Sequence, residues 1–131
     1  MTIRVAVLGA GGRMGSTVCE AVRADPELEL VAEVEWDGKR DVILDRGADV
    51  AVDFTIPDSV KANVSWLLTA GVHAVVGTTG LTDADLEDLR ALTGPANCFV
   101  APNFAIGAVL MMTFAQQAAR HLPHVEITEL H

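Results

Sequence analysis

Residues Val5–Gly15 read VAVLGAGGRMG, and this stretch decides the fold. Ile3–Leu8 reads as a strand, apolar from Val5 onward. Gly9, Gly12 and Gly15 follow at the spacing G-x-x-G-x-x-G. Gly9 permits a tight turn off the strand. Gly12 leaves out a side chain where backbone approaches a pyrophosphate, and Gly15 lets the next helix pack closely on the sheet. A helix opening near Gly12 presents free N–H groups and its positive dipole end to phosphates. The loop departs from the G-x-G-x-x-G spacing, because Met14 stands where the third glycine falls when counting starts at Gly9-x-Gly11. Its position between a strand and a helix favours a dinucleotide loop over a plain turn.

Outward from this loop, short β-branched runs alternate with longer amphipathic stretches. The first helix is expected to reach about Ala24, before Pro26. Strands are expected at Leu28–Glu35, Val50–Phe54, His73–Val76, Cys98–Val100 and Val125–Leu130. Asp37–Gly47 is short and polar. A helix capped by Asp58 or Ser59 runs to about Ala70, where Gly71 stops it. Thr82 caps Asp83–Leu92, with Asp85 in place of the usual Glu of a capping box. A long helix spans roughly Ala105 to His121. This alternation predicts an α/β fold, a doubly wound, Rossmann-like parallel sheet of about six strands. One domain, 1–131, accounts for the chain, which ends directly after a strand as if a second domain were absent.

Half of the 131 residues are hydrophobic and the formal charge is −9, so a phosphate site must be local and nucleic-acid binding by a basic face is not expected. The longest apolar stretch, Phe99–Ala115, is broken by Pro102 and Asn103, which argues against a membrane span. No signal peptide is visible, and a soluble cytoplasmic protein is expected. Cys19 and Cys98 read as free, buried thiols. His73, His121 and His124 have no metal-ligand spacing with them, so no metal is expected.

Glu35 follows Gly15 by twenty residues, at the end of the second strand. A carboxylate there accepts hydrogen bonds from ribose hydroxyls and repels a 2′-phosphate, which favours NADH. Glu33 competes for that role. Arg13, Lys39 and Arg40 are cations able to neutralise a 2′-phosphate, so NADPH stays open. Three further clusters end strands: Asp53-Phe54-Thr55-Ile56-Pro57, Gly77-Thr78-Thr79-Gly80, and Ala101-Pro102-Asn103-Phe104-Ala105-Ile106-Gly107. In an open α/β sheet ligands sit outside the carboxyl ends of the strands, so all three face the crevice of the glycine loop.

Together, VAVLGAGGRMG, VDFTIPDS, VVGTTGL, APNFAIGAVL and the terminal ITELH resemble the dihydrodipicolinate reductase family of bacterial lysine biosynthesis. The motifs stand in the family's order, and VGTTG with APNFAIGA is far more specific than the glycine loop. The resemblance implies NADH- or NADPH-dependent reduction of 4-hydroxy-tetrahydrodipicolinate to tetrahydrodipicolinate. It implies that Gly9, Ala10, Gly11, Gly12, Arg13 and Met14 line the dinucleotide, and that Glu35 is the ribose acid. It further implies that Phe54 and Thr55 lie beside the pyrophosphate and nicotinamide ribose. Gly77, Thr78, Thr79, Ala101, Pro102, Asn103 and Phe104 would hold the nicotinamide side. The family signature E-L-H-H begins at Glu129, and His131 corresponds to the proton donor or acceptor. The family's second histidine, its general-acid lysine and a glycine-threonine pair for a substrate carboxylate have no counterpart here. Neither do the second domain and its homotetramer contacts. Ala105 stands where many members have Ser. The expectation is therefore a chain that binds cofactor without turnover. The alternatives are another NAD(P)-dependent dehydrogenase of amino-acid metabolism and a non-catalytic nucleotide-binding module.

Overall fold

The computed structural model describes residues 1–92, 94–101, 103–128 and 130. Five strands, β1 (Ile3–Leu8), β2 (Leu28–Val34), β3 (Val50–Asp53), β4 (His73–Val76) and β5 (Cys98–Val100), form one sheet in the order β2-β1-β3-β4-β5, every pair parallel. The helices are α1 (Arg13–Ala24), α2 (Asp41–Asp45), α3 (Pro57–Thr69), α4 (Asp83–Arg90) and α5 (Ile106–Ala118).

Val5–Leu8 are buried without alternation, because β1 is central and both of its faces are covered. Ala6 and Leu8 belong to the larger core, with Ile43 of α2, Val60, Val64 and Leu67 of α3, and Leu89 of α4. Val5 and Val7 pack on the other side against Cys19 and Val22 of α1. The chain thus leaves β1 towards β2 and returns on the other side to β3. That reversal makes the carboxyl end of β1 a topological switch point, where open α/β sheets bind ligands. The register aligns the strand ends there: Leu8 pairs with Val34 and Asp53, Asp53 with Val76, and Val76 with Val100.

Thr82 caps α4 through a full capping box with Asp85, as the sequence predicts. The start of α3 differs from expectation. Its cap is Ile56, without a side-chain bond, and Pro57 is the first helical residue, since a fixed φ and a missing N–H suit that position. The expected strand over Val125–Leu130 is absent from its described residues, and Val125 and Ile127 are exposed. A strand exists only when a neighbour completes its ladder. Here α5 contributes no residue to the core, and the described residues after it join no strand. Of the thiols, Cys19 is buried, which pushes its pKa up, with Glu33 adding to the effect. Cys98 is exposed, contrary to expectation, because β5 at the sheet edge is poorly covered on its faces, with Cys98 and Phe99 both exposed. Among the described residues, no helix is long and apolar enough to cross a membrane.

Candidate dinucleotide site

The glycine loop links β1 to α1 at the switch point. Gly9 adopts φ +76°, and a Cβ there would fall on the Phe54 carbonyl oxygen. Gly15 is buried in the first turn of α1, where a Cβ would collide with the Gly9 carbonyl. These two positions need glycine for the fold itself. Gly12 is different: it is the N-cap of α1, and a Cβ on it would meet only the Gly9 oxygen, at 3.3 Å. Its carbonyl accepts the first helical bond, from Ser16 N–H at 2.9 Å. The N–H groups of Arg13, Met14 and Gly15 have no acceptor among the described residues. They are the orphan donors that a helix N-terminus offers to an anion.

The carboxylate of Glu35 stands over this loop. A Cβ on Gly11 would lie 2.7 Å from either Glu35 oxygen, so the absence of a side chain at Gly11 makes room for the acid. Glu33 is engaged elsewhere, in an ion pair with Arg23 of α1. Of the two acids, Glu35 is the one facing the loop. Beyond it opens a cavity of about 280 Å³, walled by Glu35, Trp36, Arg40, Asp58 and Asn63 among others. Arg40 does not swing free there. Its Nη1 donates to the Ala62 carbonyl at 3.0 Å and to Asn63 Oδ1 at 3.2 Å, and its guanidinium lies 5.4 Å from the centre of the Trp66 ring. Arg13 and Lys39 are exposed.

A second cavity, about 340 Å³, is lined by Met14, Phe54, Gly77, Asn103, Phe104 and Ala105. The strand-end clusters therefore meet the glycine loop, as the sequence predicts. Phe54 and Phe104 pack ring on ring, 5.7 Å between centroids. Gly77 is glycine because a Cβ would strike the Phe54 ring. Asn103 Oδ1 accepts from Ala105 N–H at 2.8 Å, which shapes the turn into α5. Ala101 leaves β5 with its N–H on the Val76 carbonyl. Thr79 is exposed beside Gly80. Pro102 and His131 lie outside the described residues.

The sequence reading missed what holds these loops. Asp53 is fully buried, and its Oδ1 accepts from Thr55 N–H at 3.0 Å, Thr55 Oγ1 at 2.7 Å and Thr78 Oγ1 at 2.6 Å. The Thr78 hydroxyl in turn accepts from Thr55 N–H at 2.8 Å. Asp53 Oδ2 accepts from Asn63 Nδ2 of α3, at 2.9 Å. A signal was present: Asn63 falls among Val60, Val64 and Leu67 on the buried face of α3, where a polar residue needs a partner.

Parallel strands wound about a switch point, a glycine loop feeding a helix N-terminus, and an acid stationed over that loop define a Rossmann-like domain of the nucleotide-binding type. The comparisons narrow the class. The family model described as dihydrodipicolinate reductase, N-terminus, matches residues 3–104. A 4-hydroxy-tetrahydrodipicolinate reductase of Nocardia farcinica is 52% identical over 134 residues, which is 100% of this chain and 54% of the relative. That of Beutenbergia cavernae is 57% identical over 135 residues, again 100% and 54%. Among solved structures, dipicolinate-bound dihydrodipicolinate reductase from Paenisporosarcina sp. TG-14 superposes with a TM-score of 0.81 at 36% identity, covering 96% of this chain and 57% of the other. Biliverdin reductase from Synechocystis, in complex with biliverdin and NADP+, shares the fold alone, with a TM-score of 0.63 at 19% identity over 90% of this chain and 42% of its own. The chain belongs to the dihydrodipicolinate reductase family, matching its N-terminal part. It spans about half the length of the relatives it matches.

Proposed function

We propose that residues 1–131 are the dinucleotide-binding domain of a cytoplasmic reductase that converts 4-hydroxy-tetrahydrodipicolinate to tetrahydrodipicolinate with NADH or NADPH, and that this domain alone binds cofactor without turnover. The observation behind this reading is the pairing of the orphan N–H groups of Arg13, Met14 and Gly15 with the Glu35 carboxylate over Gly11. Donors on one side suit a pyrophosphate, and an acceptor beside them suits a ribose diol. Gly9, Ala10, Gly11, Gly12, Arg13 and Met14 line the phosphates in this reading. Phe54, Thr55, Gly77, Thr78, Thr79, Ala101, Pro102, Asn103 and Phe104 hold the nicotinamide end.

The bound cofactor supplies a hydride to the ring carbon of the substrate's conjugated imine, and water is lost in the overall reaction. The chain's own work is to hold the carboxamide end in the cavity lined by Met14, Phe54, Gly77 and Phe104, and to limit water around it. His131 is assigned, by resemblance, the proton transfer that accompanies reduction. Cations for the substrate carboxylates are sought in the additional length of the relatives, whose family assembles as a homotetramer by the same resemblance.

The direct test is titration of the 131-residue chain with NADH and NADPH, followed by nicotinamide fluorescence. Saturable binding of at least one supports the reading. No binding of either by a folded chain overturns it.

A further inference from the structure

We propose that Asn63 is a positioning residue of the dinucleotide site, the side chain through which one buried hydrogen-bond system holds both ends of the crevice. This deepens the function proposed above and rests on it. Asn63 has two functional atoms and both are used. Its Nδ2 donates to Asp53 Oδ2 at 2.9 Å, and its Oδ1 accepts from Arg40 Nη1 at 3.2 Å. The amide orientation follows from this chemistry, since a carboxylate only accepts and a guanidinium only donates.

On one side, Asp53 fixes the Thr55 amide and the Thr55 and Thr78 hydroxyls, and so the turns that present Phe54 and Gly77 to one cavity. On the other, Arg40 and Asn63 form part of the wall of the second cavity, together with Glu35. Asn63 is the only partner of Asp53 Oδ2 among the described residues. Asn63 and Asp53 are buried, at 7% and 0% exposure, so an unpaired oxygen there has no access to water that would replace the bond. Losing the Asn63 amide frees the Asp53 carboxylate to rotate, and it frees Arg40 from one of its two acceptors. A tie between helix and sheet alone would affect folding. A positioning role affects cofactor affinity in the folded protein.

Three variants decide the matter. Asn63→Leu keeps the shape and removes both bonds. Asn63→Asp sets two carboxylates against each other. The exchange Asp53→Asn with Asn63→Asp restores the pattern: the amide at 53 donates to the new carboxylate, its oxygen still accepts from Thr55 and Thr78, and the new carboxylate accepts from Arg40. We expect both single variants to weaken NADH roughly tenfold, as befits a buried partner left unsatisfied. Hydrogen exchange at the Thr55 amide should accelerate in parallel, and the exchange variant should return both readouts to wild type. Folded Asn63→Leu with wild-type NADH affinity overturns the proposal, as does a folded exchange variant without recovery. If Asn63→Leu does not fold, the exchange variant decides alone: recovered binding supports the proposal, and failure to fold or to bind overturns it. A wild-type chain that does not bind NADH removes the proposed function and this inference with it. Wild-type binding untouched in Asn63→Leu removes this inference only.

Discussion

The glycines of the β1–α1 loop do two different jobs, and substitution separates them. Gly15→Ala pushes a methyl into the Gly9 carbonyl, so α1 must lift from β1; we expect a loss of about 3 kcal/mol in stability, read as a lower urea midpoint. The Cβ of Gly12→Val meets only one atom, at 3.3 Å, and the extended backbone there accepts a branched residue, so the melting temperature should change little. The new side chain instead occupies the approach to the Arg13, Met14 and Gly15 amides. NADH affinity should fall by about 3 kcal/mol, roughly a hundredfold in Kd, and unchanged affinity would refute the phosphate assignment. Glu35→Ala tests the other half of the site. It removes a ribose acceptor and a negative charge facing the 2′-position, so NADH should weaken more than NADPH in parallel titrations. Equal losses would point away from Glu35. At this scale the sequence was informative wherever backbone geometry dictates the residue, as at Gly9 and Gly15. Strand alternation does not separate Glu33 from Glu35, which are two residues apart; they differ because β2 ends at Val34 and Glu33 is held by Arg23, while Glu35 stands beside Gly11. For Asn63, on the apolar face of α3, the sequence signalled a buried partner but not that the partner is Asp53. That pairing depends on a contact between a strand end and a helix face ten residues later, which no local pattern encodes.

Among the elements, β1 was legible because a parallel strand buried on both faces reads as an apolar run, and α4 because its capping box is a local hydrogen-bond pattern. The strand expected over Val125–Leu130 was not, since alternating apolar residues specify a strand only when a sheet edge receives them. The α3–α4 pair offers an electrostatic prediction. Lys61 Nζ lies 2.8 Å from Asp85 Oδ1 and 2.6 Å from Asp88 Oδ2. The bond from Lys61, with further help from the Thr82 amide and hydroxyl, holds Asp85 down at about 2, below its usual 3.8. A depressed carboxylate stabilises the fold above its unfolded pKa, and the contribution is lost as pH falls from about 4 through about 2. Lys61, pushed up to about 12 by Asp85 and then Asp88, keeps its side of the pair charged until pH rises beyond its usual 10.5. Because the groups are solvent-exposed, the effect should be small and salt-sensitive. Asp85→Asn should therefore lower the urea midpoint at pH 7 and progressively less towards pH 2. A pH-independent difference would mean that the charge of Asp85 does not carry the effect. Thr82→Ala removes the cap side chain and should cost about 1 kcal/mol at either pH.

At the scale of the whole molecule, the complete crevice and the uncovered helix make opposite demands. Every described residue assigned to the cofactor lies on a strand end, a loop or the first turn of a helix anchored in the core. By contrast α5 buries none of its residues, and Ile106, Leu110, Met112 and Phe114 are exposed at 77%, 46%, 47% and 60%. A helix apolar on all sides is stable in water only when covered. We expect the isolated chain to self-associate at micromolar concentration, with Leu110→Lys and Phe114→Lys shifting it towards monomer in sedimentation experiments while NADH binding persists. Catalysis should follow a different rule from binding. Hydride transfer needs the substrate's carboxylates held against the nicotinamide, and an orientation error alone lowers a rate by about a hundredfold. Among the described residues, the cavity of Met14, Phe54, Gly77, Asn103, Phe104 and Ala105 offers no side-chain cation for that purpose. The 131-residue chain should therefore bind NADH yet oxidise it no faster than background when given 4-hydroxy-tetrahydrodipicolinate. A chain extended to the length of its relatives should turn the same substrate over. Comparable rates from the two chains would mean that the residues binding the substrate already lie within these 131 positions.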